Sequence, residues 1–424
     1  PRIVQMLHTG TLGGNPFSWV GADSLGAQAF LQGFFVANLP LTYVNGFDAV
    51  ICYLLSGLLI GDLGRRFNIH WFLTSLVVVL FIFVNPQIVN ISALYSATLM
   101  ILALVYSSIL FLEIGTKATT AELVWASIPL ALFAATLANL KQTFVPFAAI
   151  YFCLFFLLAP LSQRSARDVL FSAGTATVTA VLSLSPWIWV FWDKFHDAVQ
   201  MAEQRFLILI SAVSSLVQTT VVSTAYESSS NRALAAEESL FEDLFSFRPL
   251  FWGGNQFYYN FLFFGIAVAT IYACYRLRKE PRASRALMLI AAAAGTAAIS
   301  SYLLMVGITR HVDAGVRFSA PILMAVYASL ALIYGKYTLV HTGSPDRVKN
   351  SSKSAGILLT ALLCVPIVMF SGQWWERSTK ALEARSFMAF PISPGYVRYQ
   401  SKILSDMGRQ VTRSMQEPTE EDST

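Results

Sequence analysis

Lys141 occupies a position that favours the binding of an anion. It stands in a five-residue polar break, Asn139-Leu140-Lys141-Gln142-Thr143, between two apolar segments. A lysine at membrane depth is costly, by about 2.5–3.5 kcal/mol at the centre of a helix and by less near the interface. Lys141 therefore either extends to the membrane surface or offsets its charge with an anionic ligand, hydrogen-bonded with help from Gln142 and Thr143.

Two arginines lie close together in a second polar segment, residues 309–318 (TRHVDAGVRF). Arg310 and Arg317 could hold a phosphate or pyrophosphate, because the planar guanidinium group matches the geometry of phosphate oxygens. His311 and Asp313 share this segment, and an Asp–Arg pair at a helix end could equally be structural. Both interpretations, an anion site and a helix-end ion pair, stay open.

Asp23 is a candidate for acid–base chemistry, since no other Asp or Glu occurs in the first 47 residues. It ends a segment rich in Gly and Asn, residues 11–23, which is typical of a turn-forming connector. The same segment could be an ordered loop at a membrane-surface active site. An Asp followed by Ser24 is also typical of a helix N-cap, so the catalytic role has a structural alternative.

The sequence contains no pattern for a metal or a cofactor. Motifs for phosphate-cradling loops, zinc proteases, redox cysteine pairs and nucleophilic serines are missing. Histidines outside residues 309–318 are scattered, and the four cysteines stand in separate apolar runs, too far apart for zinc-type spacing. We therefore expect no metal, no cofactor and no disulfide framework.

The composition predicts that the candidate residues described above lie on or between membrane-spanning helices. Apolar residues make up 55% of the chain and charged residues 12%, against roughly 25% charged in globular domains. The mean hydropathy is +0.58. A soluble protein could not cover its surface with so few charges, and no basic patch indicates a nucleic-acid partner. The predicted fold class is an all-α, polytopic transmembrane helical bundle in the lipid bilayer.

About ten segments approach the roughly 20 helical residues needed to cross a bilayer. Asn85-Pro86 predicts the turn that divides one almost unbroken apolar stretch into two helices. The break at residues 139–143 could be the turn of a hairpin or an interruption of one broken helix, and the sequence leaves both open. The predicted spans are residues 43–60, 71–84, 92–112, 123–138, 144–158, 169–192, 258–275, 286–306, 320–337 and 355–370.

Basic residues in short loops predict the orientation of the bundle. The four informative loops, all on one side and therefore predicted to be cytoplasmic, are residues 61–70, 161–168, 276–285 and 336–353. The outer side then receives Lys141 and the 309–318 segment. The predicted organisation is an outer loop with an interfacial helix (1–42), transmembrane helices (43–192), an outer amphipathic segment (193–257), further transmembrane helices (258–371) and an outer tail (372–424).

Three short motifs resemble those of the GT-C superfamily of polytopic membrane glycosyltransferases, and within it the bacterial relatives of protein mannosyltransferases. Residues 1–6 (PRIVQM) look like the continuation of a Y-H-L-P-R motif that follows the catalytic Asp. Residues 137–143 (LANLKQT) look like the Thr-Lys turn whose Lys meets a lipid phosphate. Residues 317–321 (RFSAP) look like the R-Y-x-x-P element that opens a late span, with Phe318 in place of the Tyr.

The resemblance implies a particular donor and a particular set of contacts to it. The donor would be a sugar linked to polyprenyl phosphate, and the groups around the lipid phosphate would be Lys141, Gln142 and one or both of Arg310 and Arg317. Such a positively charged pocket can neutralise the phosphate without a metal.

The leading functional hypothesis is a membrane glycosyltransferase that moves a hexosyl or pentosyl group to an acceptor hydroxyl at the outer membrane face. The resemblance implies a bacterial inner membrane with a periplasmic active face. It places the catalytic Asp upstream of Pro1, so we expect the general base there, with Asp23 as the candidate inside the sequence. The alternatives are a transporter or flippase of a lipid-linked or anionic solute, and a polysaccharide polymerase or ligase.

Overall fold

The structure is a computed structural model in which every described element is a helix. It describes residues 27–35, 37, 46–83, 93–114, 118–162, 165–190, 192, 256–279, 282–309, 312–341 and 364. The α-helices are α1 (Ala27–Phe35), α2 (Tyr53–Arg66), α3 (Trp71–Phe83), α4 (Tyr95–Glu113), α5 (Thr120–Leu140), α6 (Val145–Leu158), α7 (Ala166–Val190), α8 (Gln256–Lys279), α9 (Arg282–Thr309) and α10 (Val312–His341). A π-helix (Phe47–Cys52) leads into α2, and 3₁₀ turns (Gln142–Phe144 and Ala159–Ser162) flank α6.

Seven helices in the described part of the chain are long and apolar enough to cross a membrane, namely α4 to α10. This confirms the prediction of an all-α, polytopic helical bundle, and the chain is an integral membrane protein. The predicted span at 43–60 corresponds to the π-helix and most of α2, and the span at 71–84 corresponds to the shorter α3. The predicted span at 355–370 lies outside the described residues except for Cys364.

Helices α2 and α4 run parallel to each other. Asp48, before the start of α2, accepts a hydrogen bond from the backbone N–H of Ser96 in the first turn of α4, at 2.8 Å. At the other end of both helices, Arg66 forms an ion pair with Glu113, at 2.5 Å. The two contacts fix which ends of these helices share a side of the bundle.

Described residues of three predicted basic loops, 61–70, 161–168 and 276–285, lie at one end of the bundle. The end of α4 leads into α5, where the Thr120 hydroxyl lies 3.5 Å from an oxygen of Asp168 in the first turn of α7. The end of α6 leads through a 3₁₀ turn toward α7. This end of α6 lines a groove together with Arg278, at the end of α8, and Arg285, near the start of α9. Arg66 and Arg278 therefore lie at the same end, which we call the basic end.

The break between α5 and α6 is the turn of a hairpin. Helix α5 starts at the basic end and its 21 residues extend about 31 Å at 1.5 Å per residue. Helix α7 starts at the basic end as well, so α6 must return across the bundle. Lys141, whose backbone is extended (φ −163°, ψ 141°), ends α5, and Pro146 lies in the first turn of α6, where its fixed φ suits a helix start.

Small residues allow α9 to pack closely against its neighbours. A Cβ atom added to Gly295 would overlap the Thr270 hydroxyl on α8, so a larger residue would force Thr270 to shift. Such close approach supplies the van der Waals contact that drives helix association in lipid. The buried alanines of α9 on this core are Ala291, Ala292, Ala293, Ala294, Ala297 and Ala298.

Helices α7 and α8 present apolar faces to their surroundings. Leu170, Leu182 and Trp189 on α7 and Val268 and Ile271 on α8 are all mostly exposed. Large apolar side chains on this scale are expected to contact lipid tails in a membrane-spanning bundle. The core lies instead along α9, α10 and α4, where the buried side chains concentrate.

Candidate functional site

Lys141 lies at the end of the bundle opposite the basic end, in the turn between α5 and α6. Its side chain is partly buried, and its Nζ atom lies 4.4 Å from the centroid of the Phe318 ring on α10. An ammonium group over an aromatic face is attracted by the ring quadrupole. The structure thus brings together the two motif segments around Lys141 and Phe318, which are distant in sequence.

Three buried polar atoms belong to residues close in sequence to Lys141 or Phe318. Asn139 Oδ1, Thr143 Oγ1 and Ser319 Oγ have no hydrogen-bond partner among the described residues. Asn139 and Thr143 each stand two residues from Lys141, and Ser319 follows Phe318 directly. A buried polar atom that is left without a partner costs about 1–3 kcal/mol, so a hydrogen-bond partner beyond the described residues, such as a bound ligand, would stabilise each of the three.

The chemistry of these groups suits an oxyanion. The Lys141 ammonium has three N–H donors and the two hydroxyls of Thr143 and Ser319 have one each, while phosphate oxygens act as acceptors. The Asn139 carbonyl would accept a hydrogen bond from a hydroxyl of the same ligand. We call this group of four residues, Asn139, Lys141, Thr143 and Ser319, the Lys141 site.

The other predicted site residues lie partly or wholly outside the described part of the chain. Gln142 lies in the 3₁₀ turn and Arg317 lies in α10 next to Phe318, and the side chains of both are outside the described part. Arg310 and Asp23 lie outside the described residues altogether. The described residues contain no group of three His, Cys, Asp or Glu side chains that could hold a metal ion.

Asp48 is a buried carboxylate that the sequence analysis passed over. It is 2% exposed and lies in the π-helix that leads into α2. Its Oδ1 atom accepts hydrogen bonds from the backbone N–H and the hydroxyl of Ser96, at 2.8 and 2.7 Å. Its Oδ2 atom accepts from the backbone N–H groups of Leu94 and Tyr95, at 3.3 and 3.2 Å.

These contacts make Asp48 the cap of α4, although it is distant from α4 in sequence. The first N–H groups of a helix have no partner within the helix, and the helix dipole favours a negative charge beside them. Both carboxylate oxygens are engaged by donors, so Asp48 serves to position α4. An acidic residue inside an apolar segment was the signal that could have found it.

Helix α1 contributes two buried amides next to the same cap. The side-chain amide of Gln28 lies within hydrogen-bonding distance of the Ser96 hydroxyl, at 2.9 Å. The Nε2 atoms of Gln28 and Gln32 are buried and have no hydrogen-bond partner in the described part of the chain. The cap therefore ties α1 to the start of α4.

Comparisons with known proteins add one structural likeness. No protein-family model and no curated protein matches the sequence. Among solved structures, the chain is similar to the archaeal oligosaccharyltransferase AglB from Archaeoglobus fulgidus, solved in complex with an inhibitory peptide and a dolichol-phosphate, with 12% identity and a TM-score of 0.48. The match covers 88% of this chain and 51% of that one, so the chain spans about half the length of AglB. The TM-score of 0.48 means that the two backbones superpose only approximately.

Proposed function

We propose that this protein is a membrane glycosyltransferase that binds the phosphate of a polyprenyl-phosphate-linked sugar at the Lys141 site. The observation that carries the proposal is the position of Lys141, at a turn between two spanning helices and against Phe318. Three buried polar atoms in residues near these two in sequence support it. The nature of the donor comes from the GT-C motifs at residues 137–143 and 317–321.

The position of the Lys141 site along the membrane normal suits a lipid phosphate. Lys141 follows a helix about 31 Å long, comparable to the roughly 30 Å of bilayer hydrocarbon. Its ammonium group therefore lies near the membrane interface at the end opposite the basic end. A polyprenyl chain would run in the bilayer along the apolar helices, while its phosphate reaches the Lys141 site.

The role of Lys141 in the reaction would be electrostatic. In sugar transfer, the bond between the anomeric carbon and the phosphate oxygen breaks, and a bond between that carbon and the acceptor oxygen forms. Negative charge then develops on the departing polyprenyl phosphate, where a fixed cation is most effective. Lys141 and one of Arg310 or Arg317 would stabilise this charge, with Gln142 as a further contact to the phosphate.

The proton of the acceptor hydroxyl passes to a carboxylate in this scheme. Asp48 does not suit this task, because donors from the start of α4 occupy both of its oxygens. Asp23 is the candidate for this base within the sequence. The cellular location that the GT-C resemblance implies is a bacterial inner membrane with a periplasmic active face.

A flippase or transporter of a lipid-linked solute is the principal alternative. Transporters place their charged residues near the middle of the membrane on broken helices. Here Lys141 lies at the end of a complete spanning helix, which favours surface chemistry over passage through the bundle. A polysaccharide polymerase or ligase would share the lipid donor and differ in its acceptor.

Proteoliposomes distinguish these functions. The full-length protein would be reconstituted with labelled polyprenyl-phosphate sugars and a cell-envelope extract as the source of acceptor. A transferase releases free polyprenyl phosphate and labels the acceptor, and Lys141→Ala should reduce both. Movement of the intact donor across the bilayer, without cleavage, would instead identify a flippase and contradict the proposal.

A further inference from the structure

A groove with a volume of about 560 Å³ opens at the basic end of the bundle. Helices α6 and α8 form its two walls, and both pack against α9, which supplies the floor through Ala292 and Thr296. The wall residues are mostly apolar. They are Leu154, Leu158 and Leu161 from α6 and the following 3₁₀ turn, and Cys274 and Leu277 from α8.

The length of the groove corresponds to one leaflet of a bilayer. It follows α9 from Arg285 to Thr296, a distance of about 16 Å at 1.5 Å per residue. The hydrocarbon core of a bilayer is roughly 30 Å thick, so the groove reaches from the membrane interface to near the midplane. This is the depth that a lipid acyl chain occupies.

Two arginines stand at the mouth of the groove. Arg278, on the last turn of α8, is exposed, and Arg285, near the start of α9, is partly buried. The adjoining ends of α8 and α9 add further positive charge, since residues 276–285 contain three more basic residues and one acidic residue. The groove therefore changes from cationic at the interface to apolar toward the membrane interior.

We propose that this groove binds one anionic phospholipid, with the lipid phosphate held by Arg278 and Arg285 and one acyl chain along α9. Guanidinium groups match phosphate geometry, and basic pockets between helices bind anionic headgroups. A free phosphate ion would use the arginines but leave the apolar length of the groove empty. The site lies at the other end of the bundle from Lys141 and is independent of the proposed function.

Native mass spectrometry of the full-length protein measures this preference directly. The protein would be taken from nanodiscs containing equal amounts of phosphatidylglycerol and phosphatidylcholine, and the retained lipid counted. The parent should retain one phosphatidylglycerol. Arg278→Gln with Arg285→Gln should lower the preference for phosphatidylglycerol by about thirtyfold, from the contribution of two basic residues near an anionic headgroup.

Three controls make the result decisive. Arg167→Gln removes an exposed arginine at the same end, outside the groove, and should leave the preference unchanged. Arg278→Gln alone alters an exposed side chain and should lower the preference in part, even if the double variant folds poorly. An excess of inorganic phosphate should leave the lipid bound. Equal lipid retention by the parent and both groove variants, an equal loss in Arg167→Gln, or displacement by inorganic phosphate would each overturn the proposal.

Discussion

The Nζ atom of Lys141 lies 4.4 Å from the centroid of the Phe318 ring, which joins the turn after α5 to the first part of α10. The face of an aromatic ring attracts an ammonium group without cancelling its charge. Phe318 therefore holds Lys141 in place while leaving it the positive charge that an anion requires. This contact connects two segments that are distant in sequence, at the site that we propose for a lipid phosphate.

Replacement of Phe318 should weaken the Lys141 site without removing its charge. Phe318→Leu removes the ring face, and a cation–π contact contributes about 0.5–2 kcal/mol, so donor use should fall by about 2- to 30-fold. Phe318→Tyr keeps an aromatic face and should stay close to the parent. The measurement is the kcat/KM for the polyprenyl-phosphate donor, and equal values for the Leu and Tyr variants would exclude the cation–π role.

Loss of the Asp48 carboxylate should destabilise the bundle. Asp48→Ala leaves the backbone N–H groups of Leu94, Tyr95 and Ser96 without their acceptor, which should cost about 2–3 kcal/mol. Asp48→Asn keeps one carbonyl oxygen and should lie between the parent and Asp48→Ala. The control is Ser56→Ala, which removes one buried neutral hydrogen bond, to the Cys52 carbonyl at 2.7 Å.

The readout for Asp48 is the midpoint of thermal unfolding in detergent. Asp48→Ala should show a clearly larger decrease than Ser56→Ala, because a charged acceptor with several donors is lost. An Asp48→Ala variant that unfolds at the same temperature as Ser56→Ala would contradict the capping role.

Close packing between α8 and α9 predicts a marked difference between two glycines. Gly295→Ala places a methyl group against Thr270, and overpacking of this kind costs about 1–3 kcal/mol. Gly174→Ala on α7 meets no atom within 4 Å, and it should be neutral or slightly stabilising because alanine favours helix. Thermal unfolding compares the two variants, and similar midpoints would show that α8 and α9 do not approach this closely.

The hairpin of α5 and α6 predicts from which side of the membrane a labelling reagent reaches each position. Single cysteines at Arg65, Lys141 and Ser165 would be introduced after replacement of the four native cysteines. In sealed vesicles, a membrane-impermeant maleimide should reach positions 65 and 165 from one side and position 141 from the other. A permeant reagent confirms that all three react. Labelling of positions 141 and 165 from the same side would show that α6 does not cross the membrane.

The sequence predicted the bundle because membrane crossing imposes a length and an apolar composition on each helix. Segment 92–112, for example, agrees with α4 within a few residues at each end. The local sequence around Lys141 did not distinguish a hairpin from a broken helix. The contact that decides it, between Thr120 and Asp168, joins residues far apart in the chain.

Parts of the candidate site could not be predicted from the sequence, because they also depend on contacts between residues far apart in the chain. Lys141 was found because a charge inside an apolar region is costly. Asn139 and Ser319 are buried by packing between helices, which periodicity does not reveal. The capping role of Asp48 could not be predicted, because its partners are backbone N–H groups of α4, and every sequence has backbone N–H groups.

The most direct test of the Lys141 site is the equilibrium binding of a labelled polyprenyl phosphate to the full-length protein in nanodiscs. A charge-assisted hydrogen bond to phosphate contributes about 1.5–3 kcal/mol, so Lys141→Ala should raise the Kd by about 10- to 100-fold at 1.4 kcal/mol per decade. Lys141→Arg should keep part of the affinity, since it keeps the charge but changes its geometry. Lys279→Ala, which removes a lysine at the basic end, should bind like the parent. An equal Kd for the parent and Lys141→Ala would contradict the proposed site.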